Sequence, residues 1–163
     1  FFFSLAARVT RDLQYPCRRK GQSGIRDRKT DFYNYVSNME NFGAWFPEVI
    51  SIMSDSEGPH GVVGKKYLET VKIPLAGLKK IPISVVDSKQ GEFFVTEGEF
   101  SPLFPRMEIE VRRIDSNSSG MSWRMYSRNN NRMVKMLLLP LAKSVMQKRA
   151  EVGIRRLKIN LEN

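Results

Sequence analysis

The chain has 163 residues, of which 41% are hydrophobic and 27% charged, and its formal net charge is +10. That length suits one domain with a real core, and the composition excludes a disordered or collagen-like chain. No apolar run approaches the ~20 residues of a membrane-spanning helix; one cysteine, Cys17, excludes an internal disulfide, and with one distant histidine, His60, it makes no zinc pattern.

Residues 5–13 (LAARVTRDL) read as a first strand, and a basic segment follows at about 14–29. Between Arg8 and Lys29 there are eight basic and two acidic residues; residues 17–29 (CRRKGQSGIRDRK) alone supply +5. Mitochondrial presequences share this bias. A solvated basic loop is the preferred reading, because the segment has glycines and no apolar period. The chain begins with Phe1, so the natural start and any targeting signal are expected to lie upstream. An intracellular compartment is favoured, cytoplasmic, or mitochondrial if the basic region is a targeting remnant.

Thr30 or Asp31 can cap a short helix with Phe32, Tyr35 and Val36 on one face, ending at Ser37 or Asn38. A second helical piece, MENFGAWF, is limited by Gly43 and Pro47. Six short strands come next, at 49–55, 65–73, 80–88, 92–100, 106–115 and 121–128, separated by turns rich in Gly, Pro, Ser and Asn. Alternation is cleanest in MEIEV, with Met107, Ile109 and Val111 on one face. Connections this short predict an antiparallel meander, and a long meander curls. From Asn129 to Asn163 the period becomes helical. Leu139, Ala142, Met146, Ala150, Gly153, Leu157 and Leu161 form a core-facing row, and Val134, Leu138, Leu141, Val145 and Val152 are read as widening it. Pro140 is expected to kink this helix or mark its start.

DFYNYVSNMENFGAWFPEVIS resembles the opening of polyketide cyclase/dehydrase-like proteins of the START-related (SRPBCC) superfamily. There an aromatic-Tyr-Val/Leu-Ser core runs into Asp/Asn-x-Glu-Asn-aromatic, then Trp and Pro. Here these are Phe32, Tyr35, Val36, Ser37, Asn38, Glu40, Asn41, Phe42, Trp45 and Pro47. GVVGKKYLETVKI resembles that family's Gly-rich turn into its third strand. The resemblance covers residues 5–11 and about 31–162, and the segment 14–29 departs from it, because the family passes from strand one to helix one in a few residues. The implied architecture is a single α+β domain over 1–163 with the helix-grip fold. A curved seven-stranded antiparallel sheet wraps a long C-terminal helix, and two short helices follow strand 1. A cavity is implied between sheet and helix.

A histidine-based nucleophilic triad is not assembled by a lone loop histidine, and no catalytic residue, metal site or cofactor is assigned. Glu97 and Glu99 read as a polar outer face. Glu69 shares a strand face with Tyr67, Val71 and Ile73, where a carboxylate would have a raised pKa. The expected function is binding, or transport, of a hydrophobic small molecule or lipid. The candidate ligand-binding residues are Trp45, Phe46, Tyr67, Glu69, Val71, Phe94, Phe100, Ile109, Trp123, Met125, Leu139, Ala142 and Met146, with Glu69 or Tyr67 orienting a polar end. The alternative is a cyclase/dehydratase-type lyase or isomerase using the same cavity, although the reading leans away from an enzyme. A basic nucleic-acid-binding module is the outsider, disfavoured because its basic residues are divided between one loop and the last helix. Peripheral contact with an anionic membrane through those residues is compatible with lipid carriage, and a monomer is expected.

Overall fold

The computed structural model describes residues 28–73, 77–114 and 119–162. Helix α1 (Arg28–Ser37) leads through a 3-10 turn (Met39–Asn41) into α2 (Phe42–Trp45). Six strands follow: β1 (Val49–Ser54), β2 (Lys66–Ile73), β3 (Gly77–Lys89), β4 (Phe93–Gly98), β5 (Pro105–Arg113) and β6 (Ser119–Ser127). A π-helical turn (Val134–Leu138) enters α3 (Leu139–Glu162). The strands pair in sequence order, each antiparallel to the next. The fold class is therefore α+β, with a meander and a long terminal helix as expected. Six strands are present among the described residues rather than seven; the strand expected at 5–13, like most of the basic segment, lies outside them. Bulges between Val49 and Ser51 and between Val85 and Asp87 bend the sheet.

Helix α1 begins at Arg28, before the expected caps, and Asp31 lies in its first turn, where the helix dipole favours a negative charge. Its buried face is Phe32, Tyr33 and Val36, with Tyr35 only partly covered. Tyr33 displaces Tyr35 because its hydroxyl reaches a partner: it donates to the Phe93 carbonyl at 3.3 Å while its ring meets the edge of Phe94. Asn38 breaks the helical run and caps the next turn, its side chain accepting from the Glu40 N–H at 3.0 Å. Gly43 lies inside α2 instead of ending it.

One row of each strand faces inward. Ile52 on β1, Tyr67 and Val71 on β2, Ile81 and Ile83 on β3, Phe94 on β4, Met107, Ile109 and Val111 on β5, and Met121 and Trp123 on β6 form one buried cluster with the α1 and α2 rings. The outer face is charged. Arg106 bridges Glu97 and Glu108 at 2.8 and 3.2 Å, and Arg128 bridges Glu97 and Glu99 at 3.2 and 2.9 Å. Each such pair contributes little alone, but the ladder fixes which face meets water.

Short helices are marginal in isolation, and α2 is held by its rings. Phe42 stacks on Phe46 (4.8 Å between ring centres) and meets Trp45 at 4.6 Å, and Phe46 reaches Trp123 at 5.6 Å. Helix α3 comes down on them at Gly153. A Cβ there would lie 3.3 Å from the Phe46 ring and 3.4 Å from the Trp45 ring. Gly153→Val is accordingly expected to cost about 1–3 kcal/mol by overpacking, read as a lowered midpoint in thermal or urea unfolding; an unchanged midpoint would mean that α3 is not seated so closely.

Pro140 sits just inside α3 and follows the π turn, in which the Leu139 N–H bonds to the Val134 carbonyl. Proline has no N–H and its ring crowds the carbonyl four residues back, so the wider turn accommodates it. The second apolar row of this helix is not core-facing. Leu138, Leu141 and Val145 are exposed, while Leu139, Ala150, Gly153, Ile154 and Leu157 are buried. This corrects the expectation that the two rows share one face.

Candidate functional site: the open end of the concave face

Antiparallel pairing sorts the inward residues into two ends. At one end lie the start of β2 and β4, the end of β5 and the start of β6. Tyr67, Phe94, Ile109 and Trp123 are almost wholly inaccessible and share one buried cluster with the rings of α1 and α2 and with Ala150 and Leu157 of α3. At the other end lie the end of β2, Phe100 just beyond β4, the end of β6 and the first turns of α3. There Ile73, Phe100, Met125, Ala142 and Met146 are only half-buried, although the first three and Met146 pack against the core. The concave face is thus sealed at one end and incompletely covered at the other.

Glu69 belongs to the open half. It faces inward with Tyr67 and Val71, between Ile52 on β1 and Ile81 on β3. Continuing the β3–β4 register past Ile83↔Gly98 brings Phe100 opposite Ile81 in the same row. Among the described residues the Glu69 carboxyl has no hydrogen-bond or ion-pair partner. Burial alone pushes it up to about 7. Yet its side chain is not sealed and keeps partial exposure. A group that is both deep and accessible lines a concavity rather than a packed core or an open surface. A second unsatisfied group lies on the same sheet face: the indole N–H of Trp123 is buried and has no acceptor. Buried donors are ordinarily paired.

The thirteen candidate residues divide between these environments. Trp45, Phe46, Tyr67, Phe94, Ile109 and Trp123 belong to one buried cluster, and Val71 and Leu139 are also buried. Glu69, Phe100, Met125, Ala142 and Met146 retain accessible surface toward the open end. Tyr67 does not offer a free hydroxyl, because it lies 3.0 Å from Nδ1 of His60, whose ring stacks on its own. Burial also pushes the phenol up.

His60 is an exposed residue of the β1–β2 loop, as expected, and it also belongs to a connected group. Its Nε2 stands 4.0 Å from Glu40, which accepts from the Ser54 hydroxyl at 2.7 Å and the Ser54 N–H at 2.9 Å. Lys65, almost wholly buried, donates to the Ser56 and Gly58 carbonyls and gathers the same loop. Gly61 has φ +70°, and a Cβ there would strike Ser37 of α1 at 2.8 Å. This group fastens the β1–β2 loop over the sealed end. No periodicity announces it; the only local signal is the sequence GPHG with its two glycines.

The outer face carries a wide groove of about 460 Å³ lined by Lys29, Asp87, Glu92, Arg106, Glu108 and Arg124, among others. Its arginines already pair with its carboxylates, so we assign it a structural role. Among the described residues no group of three His, Cys, Asp or Glu side chains could hold a metal ion, and no helix is long and apolar enough to cross a membrane.

A meander with a long terminal helix and short helices before the sheet is the helix-grip fold. No protein-family model matches the chain, and no curated protein matches it. Solved structures with the same fold include the di-domain ARO/CYC StfQ from the steffimycin biosynthetic pathway, at 10% identity and TM-score 0.60, covering 80% of this chain and 45% of that one. The di-domain ARO/CYC BexL from the BE-7585A pathway is similar at 11% identity and TM-score 0.60 over 97% of this chain and 49% of that one. The KanY protein is similar at 9% identity and TM-score 0.64, covering 99% of this chain and 100% of that one. The chain spans about half the length of the two di-domain proteins, and at these identities the likeness is one of fold.

Proposed function

We propose that the chain binds a hydrophobic small molecule or lipid between the open half of the concave face and the first turns of α3, with Glu69 orienting the polar end of that molecule. One observation carries this reading: an unpaired carboxyl set deep on an apolar sheet face, yet still accessible. Leaving such a group without a partner is costly for stability, and a bound hydroxyl or carbonyl would supply one. Near neutral pH a carboxyl titrating at about 7 is partly protonated and can donate as well as accept. Phe100, Met125, Ala142 and Met146 would supply the apolar wall, and methionines suit an irregular ligand.

Native mass spectrometry of gently purified protein is expected to show a bound hydrophobic molecule, lost in Ala142→Phe with the fold intact. Bare wild-type protein that also takes up no fatty acid, sterol or polycyclic phenol would overturn the reading. A cyclase/dehydratase-type enzyme is the second reading, favoured by the same carboxyl, since a group titrating near 7 is suited to general acid–base work. Under that reading Glu69→Gln abolishes turnover of a polyketone while the ligand is still bound.

A further inference from the structure

The outward face of α3 and of the turn before it carries an apolar stripe that nothing among the described residues covers. Met133, Leu137, Leu141 and Val145 recur every four residues and are 60, 58, 69 and 46% exposed, with Met136 beside them at 70%. The core-facing row of the same helix is separate, and none of the stripe residues belongs to the buried core. From Asn129 to Ala150 there are five basic residues, Arg132, Lys135, Lys143, Lys148 and Arg149, and no acidic one. Arg149 is paired with Glu48; Arg132, Lys143 and Lys148 are exposed alongside the stripe.

We propose that this face docks on an anionic lipid bilayer, the apolar stripe entering the headgroup boundary and the flanking lysines meeting lipid phosphates and carboxylates. An amphipathic helix with an apolar face bordered by Lys and Arg is the ordinary construction for lying in a membrane interface. Charge argues against the other occupants. A second copy would set exposed Arg132, Lys143 and Lys148 against the same three residues of its partner. The amino-terminal segment of this chain carries eight basic and two acidic residues between Arg8 and Lys29, so it too is repelled. A nucleic acid would satisfy the lysines and leave the leucines in water. The docked helix is the one whose first turns border the open end, so the opening would face the bilayer. The docking itself does not rest on the concave face holding a ligand.

The test is flotation of the full chain with vesicles at physiological ionic strength. Wild type is expected to float with phosphatidylcholine vesicles containing phosphatidylserine and not with phosphatidylcholine alone. The exposed double substitution Leu137→Ser/Leu141→Ser is expected to lower partitioning by roughly tenfold or more, and Lys143→Glu/Lys148→Glu by a similar factor that shrinks in high salt. Circular dichroism should show both variants folded, and retention of a hydrophobic ligand in them reports separately on the concave site. Folded wild type that ignores anionic vesicles would overturn the proposal. So would a stable dimer in ultracentrifugation that the leucine substitutions dissolve, since a second copy would then be what covers the stripe.

Discussion

Truncating Trp45 to alanine is expected to cost roughly 3–5 kcal/mol, the range for removing a large buried aromatic. A domain of this size has a total stability of about 5–15 kcal/mol, so the variant should lie close to the edge of folding. The indole is almost wholly inaccessible, contacts both Phe42 and Phe46, and forms the surface on which Gly153 rests. Its loss removes the wedge between α2 and α3, so the damage does not stay local. Thermal unfolding should show a midpoint lowered by roughly 6–20 °C, at about 2–4 °C per kcal/mol. Phe100→Ala is the control. Its ring is similar in chemistry but only half-buried, and its cost should be under about half as large because less area returns to water. Equal losses at the two positions would contradict a concave face that is sealed at one end and open at the other.

The second large effect is a pH dependence set by Glu69. Its folded-state pKa is raised from 4.5 to about 7 by burial, so the folded chain holds this proton more tightly than the unfolded chain. The contribution to stability is present in full below the unfolded value and is lost as pH rises toward 7. Across that window the change amounts to about 3 kcal/mol. Glu40 acts with the opposite sign: hydrogen bonds from Ser54 hold its carboxyl low, so what it contributes is lost on acidification. The two are separated by difference. The stability of wild type relative to Glu69→Gln, from urea unfolding, should fall by about 3 kcal/mol between pH 4.5 and 8, while Glu40 cancels. A difference independent of pH would mean that Glu69 is solvated like an ordinary surface carboxylate.

Much of this architecture was legible in the sequence, and particular residues show why. Met107, Ile109 and Val111 alternate with Glu108, Glu110 and Arg112, and a period of two leaves no doubt about which set is buried. The six strands stand within three residues of their expected bounds because glycines and prolines punctuate them. Glu69 was visible for the same reason: strand parity ties it to Tyr67 and Val71 whichever way the strand turns. Helix α3 was read less well. It has two apolar rows, and a helical period reveals both without saying which meets the sheet. Period alone therefore places Leu141 and Val145 inward, whereas contact with Trp45 and Phe46 selects the row of Gly153. The bond between His60 and Tyr67 has no sequence signature, because it depends on where the eleven-residue loop between Ser54 and Lys66 folds back. The partition of the aromatic residues was equally hidden. Trp45 and Phe100 look alike as rings in a sequence, and only the arrangement of strand ends separates a plug from a rim.

The most direct measurement is the carboxyl resonance of Glu69, followed by carbon NMR through a pH titration with and without a hydrophobic alcohol or phenol. A midpoint near 7 is expected in the free protein, and it should move when the added molecule binds. A midpoint near 4.5 that ignores every such molecule would contradict this expectation.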